Sequence, residues 1–135
     1  MSGNNRIQIE EAVDVLKTNL DTIASVTEWA IRMGYGNSKT FRRHFKREFR
    51  SNPGRILTDI RLTAIVIDIH KNHSTCDEIA WKYCLPDGKG VSNLIKYHLG
   101  CTPSDIRELP PNQIDMKLQN WRTNSGVKMG GKVNR

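Results

Sequence analysis

The sequence predicts an all-α fold: two helix-turn-helix subdomains joined by a long connector helix, about seven helices in total. Three observations carry this prediction. Polar–apolar alternation of useful strand length is absent from the 135 residues. Apolar residues recur instead at three- and four-residue spacing, between residues that favour helix caps. The chain also matches itself without a gap when shifted by fifty positions. Glu28 falls on Glu78, Trp29 on Ile79, Ala30 on Ala80, Lys39 on Lys89, Phe41 on Val91, Phe45 on Ile95, Lys46 on Lys96 and Pro53 on Pro103. Two copies are too few for a solenoid, so the repeat implies one small unit used twice.

Taken in order, the elements follow from local chemistry. IQIEEAVDVLKTNL places Ile9, Ala12, Val13, Leu16 and Leu20 on one helical face. Ser25-Val26-Thr27-Glu28 is a capping box that opens the next helix, which runs through Trp29, Ala30 and Met33 and ends at Gly34. Asn37 is an N-cap for a helix holding Phe41, Phe45 and Phe49 on one side. Pro53 opens a connector over 53–70 carrying Ile56, Leu57, Ile60, Ala64 and Ile67. The second unit repeats this pattern. The expected division is therefore 1–52, a first subdomain; 53–70, the connector; 71–109, a second subdomain; and 110–135, a basic, partly disordered tail. In that tail Ile114, Leu118 and Trp121 are spaced for one amphipathic helix, with mobile residues expected after Trp121.

Charge is distributed unevenly. The chain carries a formal +7. Residues 39–55 hold seven basic side chains and one acidic one, and 110–135 hold five and one, whereas 1–38 and 56–109 are slightly acidic. A concentrated cationic segment favours a polyanionic partner. On a helical wheel, Lys39, Lys46 and Arg50 fall within about 20° of one line, with Arg43 and Arg42 about 40° and 60° to either side, while the phenylalanines centre about 120° away. An aromatic row thus packs backward and a cationic row faces outward. A merely solvated face would mix signs, and only Glu48 dilutes the bases. A membrane-surface helix would expose its aromatics, which the helix pair needs for packing. Double-stranded DNA suits the pattern, since the major groove admits a helix and an arginine fork can bond guanine O6 and N7. Two such helices about one DNA turn apart would enter successive major grooves.

The pattern A-x-x-x-G-Y-x-x-x-x-x-F-x-R-x-F-K-R-E-F-x-x-x-P, from Ala30 to Pro53, resembles the first half of the AraC/XylS-type DNA-binding domain. Ile79-Ala80, Leu94 to Lys96 and Gly100 to Arg107 resemble its later signature, so the likeness covers roughly residues 7–108. It implies a bacterial transcription regulator, an activator binding DNA as a monomer, with RNA polymerase as a partner. It also implies base-reading positions at Ser38, Lys39, Arg42 and Arg43 with Lys46 nearer a phosphate, and at Gly88, Lys89, Ser92 and Asn93 with Lys96 matching Lys46. The chain looks like short members without a small-molecule effector domain. Several residues depart from the family pattern. Cys84-Leu85 replaces a common Gly-Phe, the second recognition helix begins GKG, Asn93 stands where arginine is usual, and Asp68 takes a usually apolar position. The second unit is expected to bind more weakly. The glycines either start the helix late or permit close backbone approach.

Other function classes find little support. No Ser/His/Asp set, carboxylate pair, phosphate loop or H-E-x-x-H motif is visible, so an enzyme is not expected. His44, His70, His73 and His98 are scattered. A thiol reaction at Cys76 or Cys84 is the enzymatic alternative, with a small residue at a helix start as the plainer reading. Cys76, Cys84 and Cys101 fit no compact zinc spacing, even with His98 as a fourth ligand, so neither metal nor cofactor is expected. MSGNNRIQIEEA lacks an apolar core of signal-peptide length, and the longest aliphatic run, Ala64 to Ile67, cannot span a bilayer; a cytoplasmic protein is expected. The competing function is an architectural or protein-interaction module with mainly nonspecific DNA binding.

Overall fold

The computed structural model describes residues 7–83 and 85–125. The described residues are all-α: eight α-helices and a one-turn 3-10 helix, Ile9–Glu11, with no strand among them. The helices are α1 (Ala12–Thr18), α2 (Val26–Arg32), α3 (Ser38–Phe49), α4 (Pro53–His70), α5 (Cys76–Lys82), α6 (Gly88–Leu99), α7 (Pro103–Glu108) and α8 (Pro111–Ser125). They form two compact units, the first reaching Thr58 and the second covering Asp59–Ser125, so the division falls inside α4.

The fifty-residue repeat is visible in the backbone. α5 and α6 begin and end fifty residues after α2 and α3, and α7 starts fifty after α4. The caps repeat as well. Ser25 Oγ accepts from Glu28 N–H and Thr75 Oγ1 from Glu78 N–H, while Asn37 accepts from Thr40 N–H and Asp87 from Gly90 N–H. The box at Thr75 is complete, because Glu78 also accepts from Thr75 N–H at 2.8 Å. In the first copy Glu28 reaches one residue further back, to Ala24 N–H at 2.8 Å. Gly34, at φ 89°, closes α2 with bonds from its own N–H to Ile31 O and from Tyr35 N–H to Ala30 O, both 2.9 Å.

The first unit is built around aromatic rings. Trp29, Phe41 and Phe45 are fully buried beside Leu16, Ile23 and Met33. Trp29 meets Phe41 and Phe45 edge-on, with centroids 5.2 and 5.0 Å apart, and its Nε1–H donates to Ala12 O at 3.0 Å. Of the face expected on the first helix, Ala12, Leu16 and Leu20 are buried, while Ile9 and Val13 are half-buried.

The second unit keeps the register but fills it with aliphatics: Ile79, Val91, Ile95, Leu62, Ile65 and Ile69 are fully buried. α4 departs from the expected single apolar face. Ile67 is exposed and Ala64 half-buried, while Leu62, Ile65, Val66 and Ile69 are buried. The cause is that α4 is flanked on two sides here. Asp59 and Asp68 project about 180° apart on the helix. Asp68 accepts from Tyr83 Oη at 2.7 Å, Asn72 Nδ2 at 2.9 Å and Lys82 Nζ at 3.2 Å. On the opposite side Asp59 Oδ1 accepts from Arg122 Nε of α8 at 2.8 Å, and Arg122 Nη2 donates to Thr63 Oγ1 at 2.8 Å.

α8 corrects one expectation and extends another. About seven helices become eight, and the amphipathic helix expected through Ile114, Leu118 and Trp121 spans Pro111–Ser125. Pro111 opens α8 at the first helical position, where its missing N–H costs nothing. Ile114 and Leu118 are buried, and Trp121 Nε1–H donates to His98 Nδ1 of α6 at 3.1 Å. Residues 126–135, part of the expected mobile tail, lie outside the described residues.

Candidate nucleic-acid interface

Two opposed faces of α3 define the site. Phe41 and Phe45 are 0% exposed and Phe49 is buried, stacked on Phe45 at 4.5 Å. Tyr35, in the turn before α3, meets Phe41 edge-on at 5.3 Å, and its hydroxyl lies 2.9 Å from His44 Nδ1. These contacts fix the rotation of α3 about its axis. With one face committed to the core, Lys39, Arg42, Arg43, Lys46, Arg47 and Arg50 are all exposed. None of the six forms an ion pair with a carboxylate of the described residues.

Unpaired like charges on a single helix repel one another, so this surface carries a standing electrostatic cost that a polyanion would relieve. Ser38, expected among the exposed positions, is half-buried. Arg47 and Arg50 belong to the same surface although the expected contact set omitted them; the helical wheel places Arg50 on the cationic line, and Arg47 falls about 80° from Lys39 on it. Arg50 sits at the α3 C-cap with φ 56°, in the left-handed region where the second copy has Gly100 at 71°.

The corresponding face of α6 is sparser. Lys89, Asn93 and Lys96 are exposed and Ser92 is half-buried. Gly88, expected to be exposed, is buried: its N–H donates to Asp77 Oδ1 at 3.1 Å, and a Cβ there would overlap that oxygen and lie 3.1 Å from Cys76 Cβ. Between the two readings of GKG, Gly88 therefore permits close approach. Gly90 does not, since a Cβ there would meet nothing nearer than 3.7 Å. Tyr97 holds the position of Arg47 and is 84% exposed, edge-on to His98 at 4.9 Å.

Other chemistry finds no assembled centre. Among the described residues no three His, Cys, Asp or Glu side chains are grouped to hold a metal ion. Burial pushes the Cys76 thiol above its ordinary value, with Arg107 opposing and Asp77 adding; burial does the same to Cys101. Neither is poised as a thiolate. Cys84 lies outside the described residues. No described helix is long and apolar enough to cross a membrane.

Compared with known proteins, the chain matches no protein-family model and no curated protein.

Proposed function

We propose that this chain is a double-stranded DNA-binding protein that presents α3 to the major groove. The observation that carries the reading is the division of α3 into a buried phenylalanine row and six exposed, unpaired cations. A helix so anchored offers arginine forks to base edges and lysines to phosphates without reorganising. Lys39, Arg42 and Arg43 read bases, with Ser38 at their margin, while Lys46, Arg47 and Arg50 hold phosphates.

More particularly, the two helix-turn-helix units and the residues shared with the AraC/XylS-type domain point to a bacterial transcription regulator. On this reading it binds an asymmetric site as a monomer, with α6 adding Lys89, Ser92, Asn93 and Lys96 at a neighbouring major groove. It acts as a cytoplasmic activator with RNA polymerase as a partner. It is not an enzyme and needs no cofactor.

Selection of binding sites from random duplex DNA tests this. The expected result is one preferred sequence, bound with an affinity that falls steeply with salt. Recovery of no preferred sequence would overturn base reading. The buried Gly88 and the few cations of α6 favour a second reading, an architectural protein that grips DNA mainly through phosphates. In that case Arg43→Ala and Lys39→Ala would weaken all sequences alike.

A further inference from the structure

The two copies differ in charge where each of these helices begins. At α3, the residue that caps the third helical amide is Asn37, and the residue matching Asp77 is Thr27; both are neutral. Fifty residues on, both positions are carboxylates. Asp77 Oδ1 accepts from Gly88 N–H at 3.1 Å, and Asp87 Oδ1 accepts from Gly90 N–H at 2.9 Å. The two exposed lysines of α6, Lys89 and Lys96, are thus matched by two exposed acids near its start, whereas both matching positions at the start of α3 are neutral. The glycine at 88 makes this arrangement possible, because any side chain there would displace Asp77.

On the DNA-binding reading, we infer that Asp77 and Asp87 are negative determinants of duplex affinity that hold α6 away from phosphates. DNA phosphates approaching the start of α6 meet like charge, and such juxtaposition costs affinity. Nonspecific attraction is then carried by α3. α6 settles on a duplex only where base contacts from Asn93 and Ser92 offset the repulsion. The acids therefore lower duplex affinity, and most where α6 engages.

The test uses the isosteric double variant Asp77→Asn/Asp87→Asn, which keeps both acceptor oxygens and both helix caps while removing the charge. Affinity for random duplex should rise about tenfold, and the slope of log affinity against log salt should steepen by about one to two. Affinity for the preferred duplex should rise at least as much, so the preferred-to-random ratio should not fall. The mirror change Asn37→Asp, which still caps α3, should lower affinity for every duplex by about tenfold. Thermal unfolding of each variant confirms that it folds. Unchanged affinity and salt slope in the double variant would overturn this inference alone, provided that wild type binds and Arg43→Ala weakens it. Absence of duplex binding by wild type would overturn both readings.

Discussion

The Trp29 and Phe45 rings meet edge-on, centroids 5.0 Å apart, both fully buried. This contact joins α2 to the back of α3 and so aims the cations on its front. Phe45→Ala should destabilise the chain by about 3–5 kcal/mol, as deletion of a buried ring does. Chemical unfolding measures the loss. Duplex affinity should fall with it although no cation has been touched.

Base and phosphate contacts should separate by mutation. Arg43→Ala should cost about 1–3 kcal/mol at the preferred site and relax the preference at one or two base pairs. Lys46→Ala should weaken all sequences equally and reduce the salt slope by about one. Titrations on preferred and random duplexes at several salt concentrations distinguish the two.

Arg50 occupies a left-handed cap that its copy gives to glycine. Arg50→Gly should stabilise the fold by about 1 kcal/mol, since a side chain is disfavoured at positive φ. It should at the same time weaken DNA binding by removing one cation of the face. A raised melting temperature paired with lower affinity is the expected signature.

The glycines of α6 should behave in opposite ways. Gly90→Ala should stabilise by about 1 kcal/mol, because a Cβ there fits and restricts the unfolded chain. Gly88→Ala should destabilise, because Asp77 Oδ1 must give up its bond to the Gly88 N–H and a Cβ would press on the Asp77 backbone N and Cys76 Cβ, each 3.1 Å away. Parallel denaturation curves decide; equal effects would contradict the close approach.

Acid should loosen α8. His98 Nδ1 accepts from Trp121 Nε1–H, and burial holds the imidazole below its ordinary value of 6.5. Above that pH the folded and unfolded rings are both neutral and the bond is intact. As pH falls through 6.5 toward the depressed folded value, the unfolded chain takes up its proton first and stability declines. Protonation of Nδ1 then removes the acceptor. The Trp121 indole N–H resonance should shift as the ring protonates, and His98→Gln, an acceptor that does not titrate, should abolish the acid loss.

The helices and caps were legible because they are local. Ser25, Gly34 and Asn37 each fix a helix end through bonds within a few residues, and Pro53 opens α4 through its locked φ. The phenylalanine row needs only four-residue spacing to define a face, and the repeat doubled every such signal. What sequence reading missed depends on partners distant in the chain. It left Gly88 open between a late helix start and close approach, which Asp77 eleven residues earlier decides. It also missed the exposure of Ile67, which follows from how α5 and α8 share the flanks of α4.

By itself, then, the sequence determined an all-α chain, a duplicated unit and a helix with opposed aromatic and cationic faces, because periodicity and capping are short-range. Tertiary structure alone decided that α8 joins the second unit. Arg122 reaches Asp59 across sixty-three residues, and Trp121 reaches His98 across twenty-three. No local pattern announces either pair. Burial makes them matter, since an acid as enclosed as Asp59 persists only where a cation is brought to it.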